Sequence, residues 1–171
     1  SSERSAKLAL SGGIALLDSD EAPRIDLTID GADQIDPQKR LIKGAGGALL
    51  REKILASASR EMIVIADETK LAPHLGKIKL PVEIVRYGAL VTQRRIESLG
   101  FKGAWRKDKN SFFLTDNGNV LFDIFLNELI LDPKKVHEEL SNIPGVIDTG
   151  FFFDLAKRVL IGYKDGSIQE F

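Results

Sequence analysis

The stretch Ile25-Asp26-Leu27-Thr28-Ile29-Asp30-Gly31-Ala32-Asp33 decides how this sequence is read. Ile25, Leu27 and Ile29 alternate with Asp26 and Thr28, the period-two pattern of a strand. The strand runs into a small-residue turn carrying two carboxylates three positions apart. Downstream, Leu41-Ile42 leads into Lys43-Gly44-Ala45-Gly46-Gly47. A helix is predicted from Ala48 to about Ser59, with Leu50, Ile54 and Ala58 on one face. Met62 to Ala66 is a continuous apolar run, as in a parallel strand buried on both sides. Strand, glycine turn, helix and strand in succession imply an α/β sheet with crossover connections. Upstream, Ala6 to Leu10 reads as a short helix stopped at Gly12-Gly13, and Ile14 to Leu17 as a compact apolar strand.

After Lys70 the element order changes. Leu71-Ala72-Pro73 and Leu80-Pro81 punctuate a connecting stretch. Val82 to Val85 reads as a strand and Ala89 to Leu99 as a helix ended by Gly100. Strands at Phe112-Leu114 and Val120-Phe125 flank the turn Asp116-Asn117-Gly118-Asn119. Asp132-Pro133 supplies an N-cap and a proline at the first helical position, and Val136, Leu140 and Ile143 form that helix's inward face. Val146 to Phe153 follows as a strand. The order β-α-β-β-α-β predicts a ferredoxin-like lobe. Arg158-Tyr163 and Ser167-Phe171 close the chain as a hairpin. The expected architecture is α/β: a Rossmann-like open sheet from residues 1–77 with 153–171, and a smaller ferredoxin-like α+β lobe from 78–152. Phe151-Phe152-Phe153 reads as core rather than interface, with one ring at least pointing away from its neighbours.

Composition removes several function classes. Basic side chains number 24 and acidic ones 25, for a net charge of -1, so no broad nucleic-acid or anionic-membrane surface is expected. The basic cluster of Lys102, Arg106, Lys107 and Lys109 is read as solvated surface without a role. There is no cysteine and only two histidines, His74 and His137. Disulfides, thiolate chemistry and a histidine-rich metal site are thereby set aside. No apolar run approaches the ~20 residues of a membrane span, and the start lacks the apolar core of a signal peptide. A cytoplasmic protein is expected. The sequence opens without methionine, directly into a helix, and residues are expected to be missing ahead of it.

Three clusters can carry chemistry. Asp30 and Asp33 lie past the C-terminal end of a strand, where ligands bind in open α/β sheets; an acidic turn capping a strand explains the same residues. Lys43 and Gly44 to Gly46 open a helix, so free peptide N–H groups and the helix dipole face an anion there. A tight structural connection is the simpler account of those glycines taken alone. The spacing fits neither the dinucleotide fingerprint nor the P-loop. Glu52 sits between Arg51 and Lys53, which alone would mark a solvated charged face. In combination, the clusters supply a base, donors for an enediolate oxygen and groups for hydroxyls.

In order and spacing, Asp30-Gly31-Ala32-Asp33, Lys43-Gly44-Ala45-Gly46-Gly47-Ala48 and Arg51-Glu52-Lys53-Ile54 resemble the signature stretch of type A ribose-5-phosphate isomerases. Ile65-Ala66-Asp67-Glu68-Thr69-Lys70, Leu80-Pro81-Val82-Glu83, Thr115-Asp116-Asn117-Gly118-Asn119 and Ile143-Pro144-Gly145-Val146 extend the resemblance over essentially the whole chain. It implies an enzyme without cofactor or metal that interconverts D-ribose 5-phosphate and D-ribulose 5-phosphate. It also implies Glu52 as the base, with Asp30 and Asp33 binding the sugar and assisting proton movement between its oxygens. Lys43 then lies beside the enediolate, with backbone contacts from Gly44, Ala45 and Gly46; Gly31 and Ala32 also belong to the substrate-binding set, and Lys70 contacts the substrate. Ser1, Ser2 and Ser5 resemble a serine- and threonine-rich segment of the family. A Gly-x-Gly-Thr-Gly-Ser-Thr-like loop that family members carry near the N-terminus does not occur here. A homodimer or dimer of dimers is expected. The alternatives are a sugar-phosphate-binding sensor domain, or a CoA-transferase-like enzyme with Glu52 as a covalent nucleophile.

Overall fold

A computed structural model describes residues 1–18, 20–21 and 24–171. Helix α1 (Glu3–Ser11) begins where the Ser2 hydroxyl accepts the Ser5 N–H and ends at Gly12. Ile14 to Leu17, expected as a strand, forms none, and Ile14, Leu16 and Leu17 are exposed. A short apolar run becomes a strand only where a neighbour completes its ladder, and the described residues offer it none.

The open sheet is built from β1 (Ile25–Asp30), β4 (Ser59–Asp67), β12 (Ala156–Gly162) and β13 (Ile168–Glu170), in that spatial order. β4 runs parallel to both β1 and β12, and β13 closes the edge antiparallel. Helix α2 (Leu49–Ala58) connects β1 to β4 and packs on both. Between β1 and α2 the chain makes β2 (Gln34–Ile35) and β3 (Leu41–Ile42), an antiparallel pair. A single 3₁₀ turn, Glu68–Lys70, follows β4.

The second lobe runs β5 (Lys79–Ile84), α3 (Ala89–Ser98), β6 (Gly103–Trp105), the small hairpin β7 (Lys107–Asp108) and β8 (Ser111–Phe112), β9 (Val120–Phe125), α4 (Pro133–Ser141) and β10 (Val146–Thr149). Its sheet order is β10-β5-β9-β6, antiparallel throughout. This is the split β-α-β arrangement expected of a ferredoxin-like lobe. The Asp132 carboxylate caps α4 by accepting the Lys135 N–H.

The strand expected across Val146 to Phe153 is broken at Gly150. Beyond it, β11 (Phe151–Phe152) leaves the lobe sheet and pairs with β3. Gly150 accepts the Lys43 N–H at 2.8 Å and donates to the Pro81 carbonyl at 2.7 Å. A Cβ there would stand 2.3 Å from the Lys43 carbonyl oxygen, so only glycine lets the two strands come this close. Phe151 and Phe152, each 1% exposed, alternate between two cores. Phe151 joins Leu80, Ile96, Phe122 and Leu140 under the lobe sheet. Phe152 joins Leu49, Met62, Val64 and Ile161 beneath the open sheet. Phe153 packs partly buried against the first core. The phenylalanine run is therefore core, and it ties the lobes together.

Helix α2 is rotated relative to expectation. Leu49 and Ala56 are buried, while Ile54 is 55% exposed and Ala58 is exposed. The face toward the sheet passes through Leu49, Glu52, Lys53 and Ala56, a set at helical spacing. Glu52 and Lys53, which taken alone would mark a solvated face, thus point inward. Among the described residues, no helix is long and apolar enough to cross a membrane.

Candidate active site

The cavity that matters lies at the C-terminal end of β1. Its walls are Asp30, Gly31, Ala32, Asp33, Lys43, Gly44, Ala45, Gly46 and Glu52, around ≈ 220 Å³. A larger cavity, ≈ 360 Å³ between Ile35, Pro37, Leu71 and Phe171, is mostly apolar. Its carboxylate, Asp36, is tied to Arg40 at 2.5 Å.

Each wall of the first cavity has a structural cause. β1 delivers Asp30 to the sheet edge, where Oδ1 accepts the Gly31 N–H at 2.8 Å. Asp33 is held by its own N–H, which donates to the Ile42 carbonyl at 2.8 Å. Asp33 Oδ2 accepts the Ala45 N–H, also at 2.8 Å, and so fastens the acidic turn to the glycine loop. Lys43 emerges from β3 and is 4% exposed. Its ammonium donates to the Gly31 carbonyl at 2.6 Å and stands 2.9 Å from Asp30 Oδ2 and 3.2 Å from Glu52 Oε2. The Phe152 ring lies under it at 5.4 Å.

Glu52 completes the site from the first turns of α2. Its Oε2 is buried, and although Lys43 is at ion-pair distance, the approach lacks hydrogen-bond geometry. Among the described residues, that oxygen has no hydrogen-bond partner. The Glu52 carboxyl is held above its ordinary proton affinity: burial raises it most, Lys43 opposes, and the charges of Asp30 and Asp33 raise it further. One ammonium facing three carboxylates leaves this cavity short of positive charge, which makes Glu52 a better base than a free carboxylate.

Arg51 and Lys53, on either side of Glu52, anchor α2 to the second lobe. Arg51 reaches Asn117 Oδ1 at 2.8 Å and the Asp116 carbonyl at 2.7 Å. Lys53 reaches Asp148 Oδ1 at 2.6 Å and the Thr149 carbonyl at 2.8 Å. Burial lowers the proton affinity of Lys53, with Asp148 opposing.

Of the residues singled out in the sequence, the structure gathers all but Lys70 into one cavity. Lys70 sits in the turn after β4 and does not line it. Arg106, read as solvated surface, is instead half-buried. Its guanidinium grips Asp123 (2.6 and 3.1 Å) and donates to the Gly44 and Ala45 carbonyls at 2.8 and 3.0 Å. A single arginine in a basic run carries no sequence signal of such a contact; only its partner, Asp123 in an otherwise apolar strand, hinted at it.

Moving a proton between the neighbouring carbons of a hydroxy-carbonyl compound needs a base at the carbon, donors at the oxygen, and acceptors for hydroxyls. Glu52, Lys43 with the loop amides, and the two aspartates meet those needs within one small volume, which defines an isomerase acting beside a carbonyl. Comparison with known proteins narrows the class. The ribose 5-phosphate isomerase A (phosphoriboisomerase A) family matches residues 1–166, and the chain belongs to that family. A curated ribose-5-phosphate isomerase A from Protochlamydia amoebophila is 50% identical over 167 residues, covering 97% of this chain and 72% of that protein. A solved ribose 5-phosphate isomerase from Plasmodium falciparum superposes with a TM-score of 0.93 at 35% identity, covering 99% of this chain and 75% of the other. A solved D-ribose-5-phosphate isomerase in complex with phospho-erythronic acid gives a TM-score of 0.92 at 34% identity, with the same coverage.

Proposed function

We propose that Glu52 is the base in this chain's reaction, the reversible isomerisation of D-ribose 5-phosphate to D-ribulose 5-phosphate in the non-oxidative pentose phosphate pathway. Glu52 removes the C2 proton of the open-chain aldose, leaving a cis-enediolate, and returns it to C1. Lys43 and the amides of the glycine loop hold the oxygen on which negative charge collects. Asp30 and Asp33 accept the sugar hydroxyls and pass the proton between O1 and O2. Lys70, past the end of β4, contacts the substrate from outside the cavity. The observation that carries this reading is the Glu52 carboxylate itself: largely buried in the wall of the cavity, 3.2 Å from the Lys43 ammonium, and of raised proton affinity.

The phospho-erythronic acid in the solved neighbour supports a phosphorylated, sugar-like ligand. The near-balance of charge supports a small-molecule substrate over nucleic acid. A cytoplasmic location and a homodimer or dimer of dimers belong to the same reading, and sedimentation equilibrium tests the assembly. The function is tested with Glu52→Gln in the full-length protein. Turnover is expected to fall by about 10²–10⁴-fold, the usual worth of a positioned base, with binding of a substrate analogue nearly unchanged. Turnover like the wild type would remove Glu52 from its role. Wild-type protein that binds the sugar phosphate without converting it would favour a sensor.

A further inference from the structure

The glycine loop takes its shape from a side chain of the other lobe. Arg106 follows β6, and its backbone is pinned by the Leu121 carbonyl at 2.8 Å and by the Phe113 N–H at 2.9 Å. Asp123, 7% exposed in β9, takes the guanidinium in a two-point grip. The remaining edge of the guanidinium is spent on two successive peptide carbonyls, those of Gly44 and Ala45, through the same Nη1.

Peptide units are planar and trans, so a carbonyl pointing one way sends the N–H of the same unit the other way. With both carbonyls drawn to Arg106, the Ala45 and Gly46 N–H groups are turned away from it. The Ala45 N–H accordingly meets Asp33 Oδ2 at 2.8 Å in the cavity wall. The Gly46 N–H has no acceptor among the described residues, and Gly46 lines the cavity. A free donor in the wall of the cavity that also holds Lys43 and Glu52 can serve an enediolate oxygen as a fixed dipole.

We propose that Arg106, clamped by Asp123, is a positioning residue that aims the Gly46 N–H at the charged oxygen of the enediolate. The proposal rests on the isomerase reading of the cavity. Arginine suits the task because its planar fork serves a carboxylate and two carbonyls at once, which a lysine ammonium does not. The effect belongs to the transition state: an amide swung by ~1 Å costs turnover on the order of a hundredfold and changes substrate affinity little, because charge develops on the oxygen as the proton leaves and is absent from the bound substrate.

The test compares Arg106→Lys and Arg106→Ala with wild type and Glu52→Gln in the full-length protein. The readouts are kcat, KM, the kcat–pH profile, and rescue by added guanidinium ion. Arg106→Lys keeps the charge beside Asp123 and so guards against a variant that merely unfolds. It is expected to lose kcat on the order of a hundredfold with KM nearly constant and the acid limb of the pH profile, which reports the base, retained. Guanidinium is expected to restore part of the kcat of Arg106→Ala and none of Glu52→Gln. Wild-type kcat in folded Arg106→Lys overturns the proposal, as does loss in Arg106→Ala that tracks the folded fraction and ignores guanidinium. If Glu52→Gln turns over normally while Arg106→Lys is crippled, the base assignment fails and the positioning role stands.

Discussion

Gly47→Ala probes how tightly the second lobe seats the glycine loop. Gly47 has φ 88°, and a Cβ built there would lie 2.6 Å from Phe113 Cζ and 2.7 Å from Cε1. The left-handed backbone alone costs an L-residue about 1–2 kcal/mol. Carbon–carbon contact is ordinarily about 3.5–4.0 Å, so the ring or the loop must give by roughly 1 Å, and such overpacking costs about 1–3 kcal/mol. Reduced freedom of the unfolded chain offsets about 0.4–1 kcal/mol. The net expectation is a loss of about 1–5 kcal/mol, or roughly 2–18 °C in the unfolding midpoint for a chain of this size. Urea unfolding followed by Trp105, the only tryptophan, gives the free energies. A cycle with Phe113→Leu separates the two causes, because trimming the ring relieves the clash and leaves the backbone cost. Coupling of about 1–3 kcal/mol is expected, the double variant being more stable than the sum of the singles predicts. Additivity within about 0.5 kcal/mol would refute the claim that Phe113 packs on this loop. A Gly47→Ala variant more stable than the wild type would refute the backbone account as well.

Glu52→Gln is expected to raise the thermal midpoint at neutral pH while lowering turnover by about 10²–10⁴-fold. A raised carboxyl pKa gives stability that is fully present below the unfolded value, 4.5, and lost as pH rises through the folded one. The advantage of the glutamine should therefore shrink toward pH 4.5 and vanish below it, and a constant gap from neutral to acid in calorimetry would contradict the burial of Glu52. His137, whose Nδ1 pairs with Thr149 Oγ1 at 2.8 Å, is held below its ordinary 6.5 chiefly by burial, then by the charge of Lys53. Its contribution is present above 6.5 and lost as pH falls through the lower folded value. His137→Gln should flatten the stability–pH curve just below 6.5, and an unchanged slope there counts against the assignment.

The period-two alternation of Ile25–Asp30 and the apolar run of Met62–Ala66 made the parallel strands legible but not their buried faces: Met62, Ile63 and Val64 are buried, whereas Leu27, Ile29 and Ile65 are 44%, 59% and 50% exposed and Thr28 is half-buried. The β-α-β-β-α-β order was legible because the capped α4 and the Asn117-Gly118 turn are local signals. The rotation of α2 was not. Leu50, Ile54 and Ala58 form as good a stripe as Leu49, Glu52, Lys53 and Ala56, and only the sheet's position decides between them. Ile14–Leu17 misled because apolar content was taken for pairing, and a ladder is a tertiary fact. Gly150 gave no warning that the strand would change partners, since its requirement comes from the Lys43 carbonyl more than a hundred residues away in the chain. Lys43 and Glu52 were legible as types in a pattern. Their contact, and Arg106 behind the loop, depended on the two lobes meeting.

The cost of that meeting falls on α2. Turning Glu52 and Lys53 inward forgoes the ~1.5–3 kcal/mol that a buried apolar side chain would contribute at each position, and burial works against the charge of both. A helix so disposed needs something other than apolar packing to fix its rotation, because successive residues are offset by about 100° and a single-residue slip would carry Glu52 out of the cavity. Arg51 and Lys53 supply it, one on each side of Glu52. Arg51 is fastened to the Asp116-Asn117 turn and Lys53 to Asp148 and Thr149, both on the second lobe. The Thr115–Asn119 turn is itself rigid, since Glu83 Oε1, wholly buried, accepts from Thr115, Asn117 and Asn119 at 3.0, 3.1 and 2.8 Å. The ferredoxin-like lobe thus acts on both halves of the cavity: it fixes the rotation of the helix that carries Glu52 and, through Arg106, holds the Gly44 and Ala45 carbonyls of the glycine loop. Local preference is violated at Glu52 and Lys53, and the violation is sustained by contacts from the other lobe, as expected where a fold gives up stability to hold a reactive group in place.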